Sequence, residues 1–361
     1  MEGLRRLEKG LRRLILAGLP PGGRPLDRPF GKDLPARPRI LLIRVDRIGD
    51  AIISTPLITE LRRRLPHAMI DILLGEKNEV IAPLLPDLDG RFVLRRREGA
   101  ATLGDLRSNH YDIVMNLHLN RSAGASLATR LVGGSEVIHY PAGDPFRSGG
   151  ALAHAVVMTW RLLGPFGVDA ITEADAVRHP LRLRLPAASS AQAERFRDQF
   201  LGAAGSGRTV FLNVSASDAA RAWSPRRFGE VARRLMADGW ACVLVGAPGD
   251  EPALQKAAAR AGDGVISLSP VDGYADFAAA LSLADLIITT DGSTAHLCAA
   301  LGKPGIVLYA RAETANAWRP WGVPHRVAAA AAGLEAIEPS RVCELVNELE
   351  AEAGGLGGAE P

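Results

Sequence analysis

From Arg39 onward the chain repeats one pattern: a short continuous apolar run, a turn, then an amphipathic stretch. RILLIRV (39–45) precedes a helical pattern over about 50–65, MIDILLG (69–75) follows, and YDIVMNL (111–117) leads into a helical stretch to about 132. A polar, alanine-rich helix near 189–200 and the turn-forming GAAGSGR (202–208) separate this half from the next. There the alternation restarts. RTVFLNVS (208–215) precedes a helix around 226–238, WACVLVGA (240–247) one around 251–261 and DLIITT (285–290) one around 293–302, before GIVLYA (305–310). Strands apolar on both faces that alternate with helices belong to parallel sheets covered on both sides. The pattern predicts an α/β fold with two Rossmann-like domains, 39–187 and 205–353, facing across a cleft. Ligands in such sheets bind beyond the carboxyl ends of the strands.

The two ends read differently. Leu4, Leu7, Leu11 and Leu14 recur at helical spacing beside Arg5, Arg6, Lys9, Arg12 and Arg13. A basic amphipathic helix of this kind can lie in the headgroup region of an anionic membrane, or pack its leucines on its own domain. A proline-rich linker completes the segment 1–38, and the Gly-rich stretch 354–361, after a helix RVCELVNELEAEA (341–353), reads as a disordered tail.

Composition narrows the function classes. At ~150 residues per domain, 361 residues make about two domains, and 47% hydrophobic residues suffice for a core in each. A net charge of +3, from 43 basic and 40 acidic residues, argues against a protein that coats nucleic acid. Three cysteines, Cys242, Cys298 and Cys343, with no CxxC pair, fit a reducing cytoplasmic compartment rather than a disulfide scaffold. No apolar run reaches membrane-spanning length, so a soluble or peripheral protein is expected. Neither GxGxxG nor GxxxxGK[ST] occurs, and the histidines form no metal-ligand spacing. Asp87 and Asp89 form a D-x-D of the sort that holds a diphosphate through a cation, yet they sit in a turn-rich connection, and no metal is expected.

The remaining chemistry clusters after strands. Gly49 and Asp50 lie where the first strand turns into its helix, where a carboxylate could take a proton from a sugar hydroxyl or simply cap the helix. Asp46 lies one turn earlier and could pair with Arg44 or Arg47. Asp291, Gly292, Ser293, Thr294 and His296 open an Ala-rich helix whose N–H groups suit a diphosphate, although Ser293 and Thr294 could equally be capping residues. Ser217 and Arg221 stand on the loop after RTVFLNVS, a place suited to phosphate. Glu251, with Asp250 beside it, follows the next strand, where an acidic residue can hold ribose hydroxyls.

Four segments, ILLIRVDRIGDAIISTPLITELRRRLPHAMIDILLG, YDIVMNLHLNRSAGASLATRLVGG, NVSASDAARAWSPRRFGEVARRL and TTDGSTAHLCAALGKPGIVLYA, together resemble the ADP-heptose lipopolysaccharide heptosyltransferases, glycosyltransferase family 9, over about residues 39–330. The resemblance implies a GT-B arrangement and an inverting, metal-independent transfer of heptose from ADP-heptose to a lipid-linked saccharide at the cytoplasmic face of the inner membrane. It assigns Asp50 as catalytic base, Arg221 where the family has a lysine near the diphosphate, and Asp291 through His296 as donor loop. His118 stands at a glutamine common in the acceptor domain, with Arg121 near it as a second acceptor contact. Asp291-Gly292-Ser293 departs from the family's Asp-Thr-Gly or Asp-Ser-Gly but keeps small residues at the helix start. A nucleotide-sugar epimerase and a non-catalytic sugar-nucleotide-binding protein of the same fold are the alternatives.

Overall fold

The computed structural model describes residues 23–30, 34–120, 122–140, 147–148, 151–201, 207–268 and 273–356. The basic segment at 1–20 and Arg121 lie outside them. The chain divides into two units, Met1–Asp175 and Ala176–Pro361, each with its own parallel sheet.

In the first unit, β1 (Arg39–Arg44), β2 (Met69–Gly75), β3 (Gly90–Leu94), β4 (Ile113–Asn116) and β5 (Glu136–His139) form one sheet in the order β3-β2-β1-β4-β5. A small antiparallel hairpin of β6 (Arg147–Ser148) and β7 (Ala151–Leu152) follows. Because β1 lies between β2 and β4, Ile40 through Ile43 are fully buried, and Leu41 and Ile43 share a core with Leu106, Val114, Ala125 and Ala128. The helical pattern expected over 50–65 is two helices, Ile48–Ile53 and Thr55–Arg64. Pro56 causes the break: it has no N–H to give to Ile52, and the Thr55 hydroxyl donates to the Ile52 carbonyl instead, at 2.7 Å.

In the second unit, β8 (Thr209–Asn213), β9 (Ala241–Val245), β10 (Ile266–Ser267), β11 (Leu286–Thr290), β12 (Gly305–Tyr309) and β13 (His325–Ala329) run in the order β10-β9-β8-β11-β12-β13. Val210 and Leu212 pack with Phe228, Val231 and Leu235 of the Pro225–Ala237 helix and with Leu254 and Ala257 of the Glu251–Ala261 helix. Trp223 is buried before the first of these helices, edge-on to Phe228, and its indole N–H donates to the Ile337 carbonyl at 3.2 Å. The final helix runs from Pro339 to Leu356, past the expected end at 353.

Strand order reverses between β1 and β4 in one unit and between β8 and β11 in the other. These are the places where loops leave in opposite directions and open a crevice for a ligand.

One glycine sets the spacing of the second unit's helices. A Cβ added at Gly229 would press into the Ala257 backbone oxygen and the Arg260 side chain. Gly229→Ala should therefore lower stability by ~1–3 kcal/mol through overpacking, read as a fall in thermal midpoint. An unchanged midpoint would mean that the two helices can part without cost.

Candidate functional site

Arg44, the last residue of β1, is fully buried, and its guanidinium gathers the carboxyl end of the first sheet. Its Nε donates to the Asp50 carbonyl at 2.9 Å and its Nη1 donates to the Leu117 carbonyl just beyond β4. Nη1 also lies 3.4 Å from Asp46 Oδ2, and Nη2 lies 3.8 Å from Asp50 Oδ1. Asn78 closes the other side: its amide donates to the Arg44 carbonyl at 2.8 Å while its oxygen accepts the Gly75 N–H at 2.8 Å.

Asp50 falls in the first turn of the Ile48–Ile53 helix, with buried Gly49 beside it and Arg47 at the N-cap. Its side chain is only 15% exposed. Burial pushes its carboxyl up to about 6, against the pull of Arg44 and with the help of the Asp46 charge. The carboxylate is therefore harder to ionise than an exposed aspartate. His118 completes the group. Its Nδ1 meets Asn116 Oδ1 at 3.1 Å, its Nε2 lies 3.6 Å from Asp46 Oδ2, and burial pushes its pKa down to about 4, so the ring is neutral at pH 7.

At the switch point of the second sheet, Arg221 and Asp291 meet although 70 residues separate them. The guanidinium Nη1 is 3.2 Å from Asp291 Oδ2, and Nε is 3.6 Å from Asp218 Oδ2. Both groups keep some exposure, 31% for Arg221 and 15% for Asp291. Gly292 precedes the Ser293–Ala300 helix in extended backbone, and the nearest atom to a Cβ placed there is the Thr290 oxygen at 3.8 Å, so the space beside the helix start is open. His296 is buried within that helix, its ring 6.0 Å from that of Trp318 in an edge arrangement.

Ser217 is exposed, with its hydroxyl 3.5 Å from Asp218 Oδ2. Glu251 is exposed as well, and its carboxylate accepts the Gly249 N–H at 3.3 Å. The carboxylate of its neighbour Asp250 is bonded within the protein: Oδ2 accepts the Ser215 hydroxyl at 2.6 Å and the Ala247 N–H at 3.0 Å, joining the loops after β8 and β9. Asp87 and Asp89 are engaged locally. Asp87 accepts the Thr59 hydroxyl at 3.0 Å, and Asp89 accepts the Ile70 N–H at 2.8 Å and pairs with Arg62 at 2.6 Å.

Sequence reasoning named Asp50, Arg221 and the 291–296 loop but not the framework that holds them. It read Arg44 only as a pairing partner for Asp46, and it passed over Asn78. A basic residue ending an otherwise apolar buried strand was the available signal for Arg44, since a charge is buried there only with partners.

The profile of Glycosyltransferase family 9 (heptosyltransferase) matches residues 153–344. Lipopolysaccharide heptosyltransferase 3 of Escherichia coli is 25% identical over 298 residues, covering 76% of this chain and 83% of that one. Among solved structures, the glycosyl transferase family 9 protein of Veillonella parvula superposes with a TM-score of 0.73 at 20% identity, covering 87% of this chain and 97% of its own. The Escherichia coli ADP-heptose LPS heptosyltransferase II gives 0.69 at 20% identity, with 88% and 99% covered. Fold and family match thus define a glycosyltransferase of the GT-B class. The chain belongs to glycosyltransferase family 9, the heptosyltransferases.

The Arg44 cluster carries its own test. Arg44→Met removes the one cation from between two largely buried carboxylates and should lower stability by about 3 kcal/mol at about pH 8. Losing the cation pushes the Asp50 carboxyl further up, so the deficit should grow as pH rises through that value and shrink below it, where the protonated acid needs no partner. Denaturant unfolding at about pH 8 and about pH 5 would read this, and an equal deficit at both would deny the cluster its electrostatic role.

Proposed function

We propose that this protein transfers heptose from ADP-heptose to a lipopolysaccharide-type saccharide acceptor by a single inverting displacement, without a metal. The observation that carries the reading is Asp50: a carboxylate at the carboxyl end of β1, largely buried, with its pKa raised to about 6. A base poised in that range is ionised at pH 7 yet takes a proton more readily than an ordinary carboxylate. As the acceptor oxygen attacks the anomeric carbon, its proton passes to Asp50, the bond from that carbon to the diphosphate breaks, and ADP leaves with the electron pair. Inversion follows from attack opposite the leaving group.

Negative charge growing on the diphosphate calls for donors fixed in advance. Arg221 and the N–H groups at the start of the Ser293–Ala300 helix supply them in this reading, with Ser217 and Asp291 beside them. The Arg221–Asp291 pair does not stand in the way, because a partly exposed pair contributes at most about 1 kcal/mol and a diphosphate carries more charge than one carboxylate. His118, beside Asp46, is assigned to the acceptor side. No helix among the described residues is long and apolar enough to cross a membrane, and the leucine and arginine pattern of residues 1–20 supports peripheral contact with an anionic surface.

Asp50→Asn should abolish transfer, by ~10²–10⁴ in rate, while ADP still binds, because the amide keeps the shape but cannot take the proton. In the wild type, kcat/KM should rise with pH through about 6. ADP release from ADP-heptose plus acceptor, with product linkage analysis, tests both statements, and wild-type turnover by the Asn variant would leave Asp50 as a helix-end residue only.

Arg221→Ala should weaken ADP-heptose binding and slow transfer together, since its charge meets the diphosphate before and during departure. Activity should survive EDTA. A requirement for added Mg²⁺ or Mn²⁺ would sink the metal-free mechanism.

A further inference from the structure

We propose that Asp46 is a positioning residue for this transfer: by sharing the single buried guanidinium of Arg44, it offsets part of that cation's pull on Asp50 and so leaves Asp50 free to take a proton. The inference deepens the reading above and rests on it. Its ground is the geometry of one cation between two carboxylates. Arg44 stands 3.4 Å from Asp46 and 3.8 Å from Asp50, the latter too long for a hydrogen bond. The guanidinium cannot slide toward Asp50 easily, because Nε is held by the Asp50 carbonyl and Nη1 by that of Leu117. Its Nη2, though buried, has no hydrogen-bond partner, and neither has Asp46 Oδ1.

One guanidinium set between two carboxylates cannot neutralise both, and a proton taken up by one of them relieves the imbalance. The acceptor hydroxyl supplies that proton in the reaction. Arg47 at the N-cap also acts on Asp50 and favours its ionised form, while His118 from the loop after β4 stands by Asp46, neutral and adding no charge. Asp46 is thus the group whose charge opposes ionisation of Asp50. Without it, the guanidinium charge would act on Asp50 with nothing to offset it, and the base would be weaker.

The test is Asp46→Asn in the full chain, read in two ways. Carbon-13 titration of the Asp50 carboxyl, its signal assigned by its loss in Asp50→Asn, should show the midpoint falling by about one unit. The acid limb of kcat/KM should move down with it, and kcat at about pH 8 should fall about threefold as the base weakens, with KM for ADP-heptose unchanged. Asp46→Glu, which restores the charge, should recover much of the loss. An unmoved midpoint, or a lowered midpoint with unchanged kcat, would overturn the proposal, and Asp46→Ser supplies the same reading should the Asn variant fold poorly. A wild-type protein that moves no heptose while the midpoint still shifts would instead bring down the transferase reading and leave the hold of Asp46 on Arg44 intact.

Discussion

The Arg44 guanidinium is the interaction on which the rest of the first unit's site depends. A cation at the end of a buried central strand has no water to solvate it, so it must be met by carbonyls and carboxylates. Here the carbonyls come from Asp50 and Leu117 and the carboxylates from Asp46 and Asp50. Those partners belong to the loop after β1, the helix that follows it and the loop after β4, so one side chain fixes the three segments that border the switch point. The position of Asp50 is therefore not a property of its own helix alone.

Much of the fold could be read from the sequence because the central strands are apolar on both faces. RILLIR, MIDILLG, TVFLN, ACVLV, LIITT and GIVLY stand out against any helical period, and each is a strand. The strands that were not legible lie toward the sheet edges: GRFVL in β3, EVIH in β5, the two-residue β10 and HRVAA in β13. With one side open, such strands carry arginine, glutamate and histidine, and nothing in a short mixed run separates them from a loop. Pro56 was visible, but only the Thr55 hydroxyl bond to Ile52 shows that it divides a helix.

The site was legible to the extent that its residues follow apolar strands. Asp50 and the 291–296 loop could be placed by that rule alone, and Arg221 was found 3.2 Å from Asp291 as neighbours of one switch point should be. Two things were hidden. That Asp250 meets the Ser215 hydroxyl while Glu251 accepts from Gly249 is a pattern of contacts across two loops that no spacing encodes. The raised pKa of Asp50 depends on burial and on where Arg44 points, and both are set by tertiary packing.

The two switch points share a topology and solve opposite electrostatic problems. The first gathers two carboxylates and one cation at low exposure, so its unmet demand is for a proton. The second sets the hydroxyls of Ser215, Ser217 and Thr290, each turned to a carboxylate or carbonyl, near the open start of a helix at Gly292 and an arginine that keeps contact with solvent, and in the proposed reading this end receives an anion. A displacement at a sugar carbon separates charge in just this sense, because the nucleophile must shed a proton while the leaving diphosphate gains negative charge. Parallel sheets with the same reversal of strand order supply both surroundings, through the residues that follow β1 and β8. The guanidiniums set the two apart: Asp50 and Asp291 are equally exposed at 15%, but Arg44 is fully enclosed while Arg221, 31% exposed, makes an ion pair that water can reach.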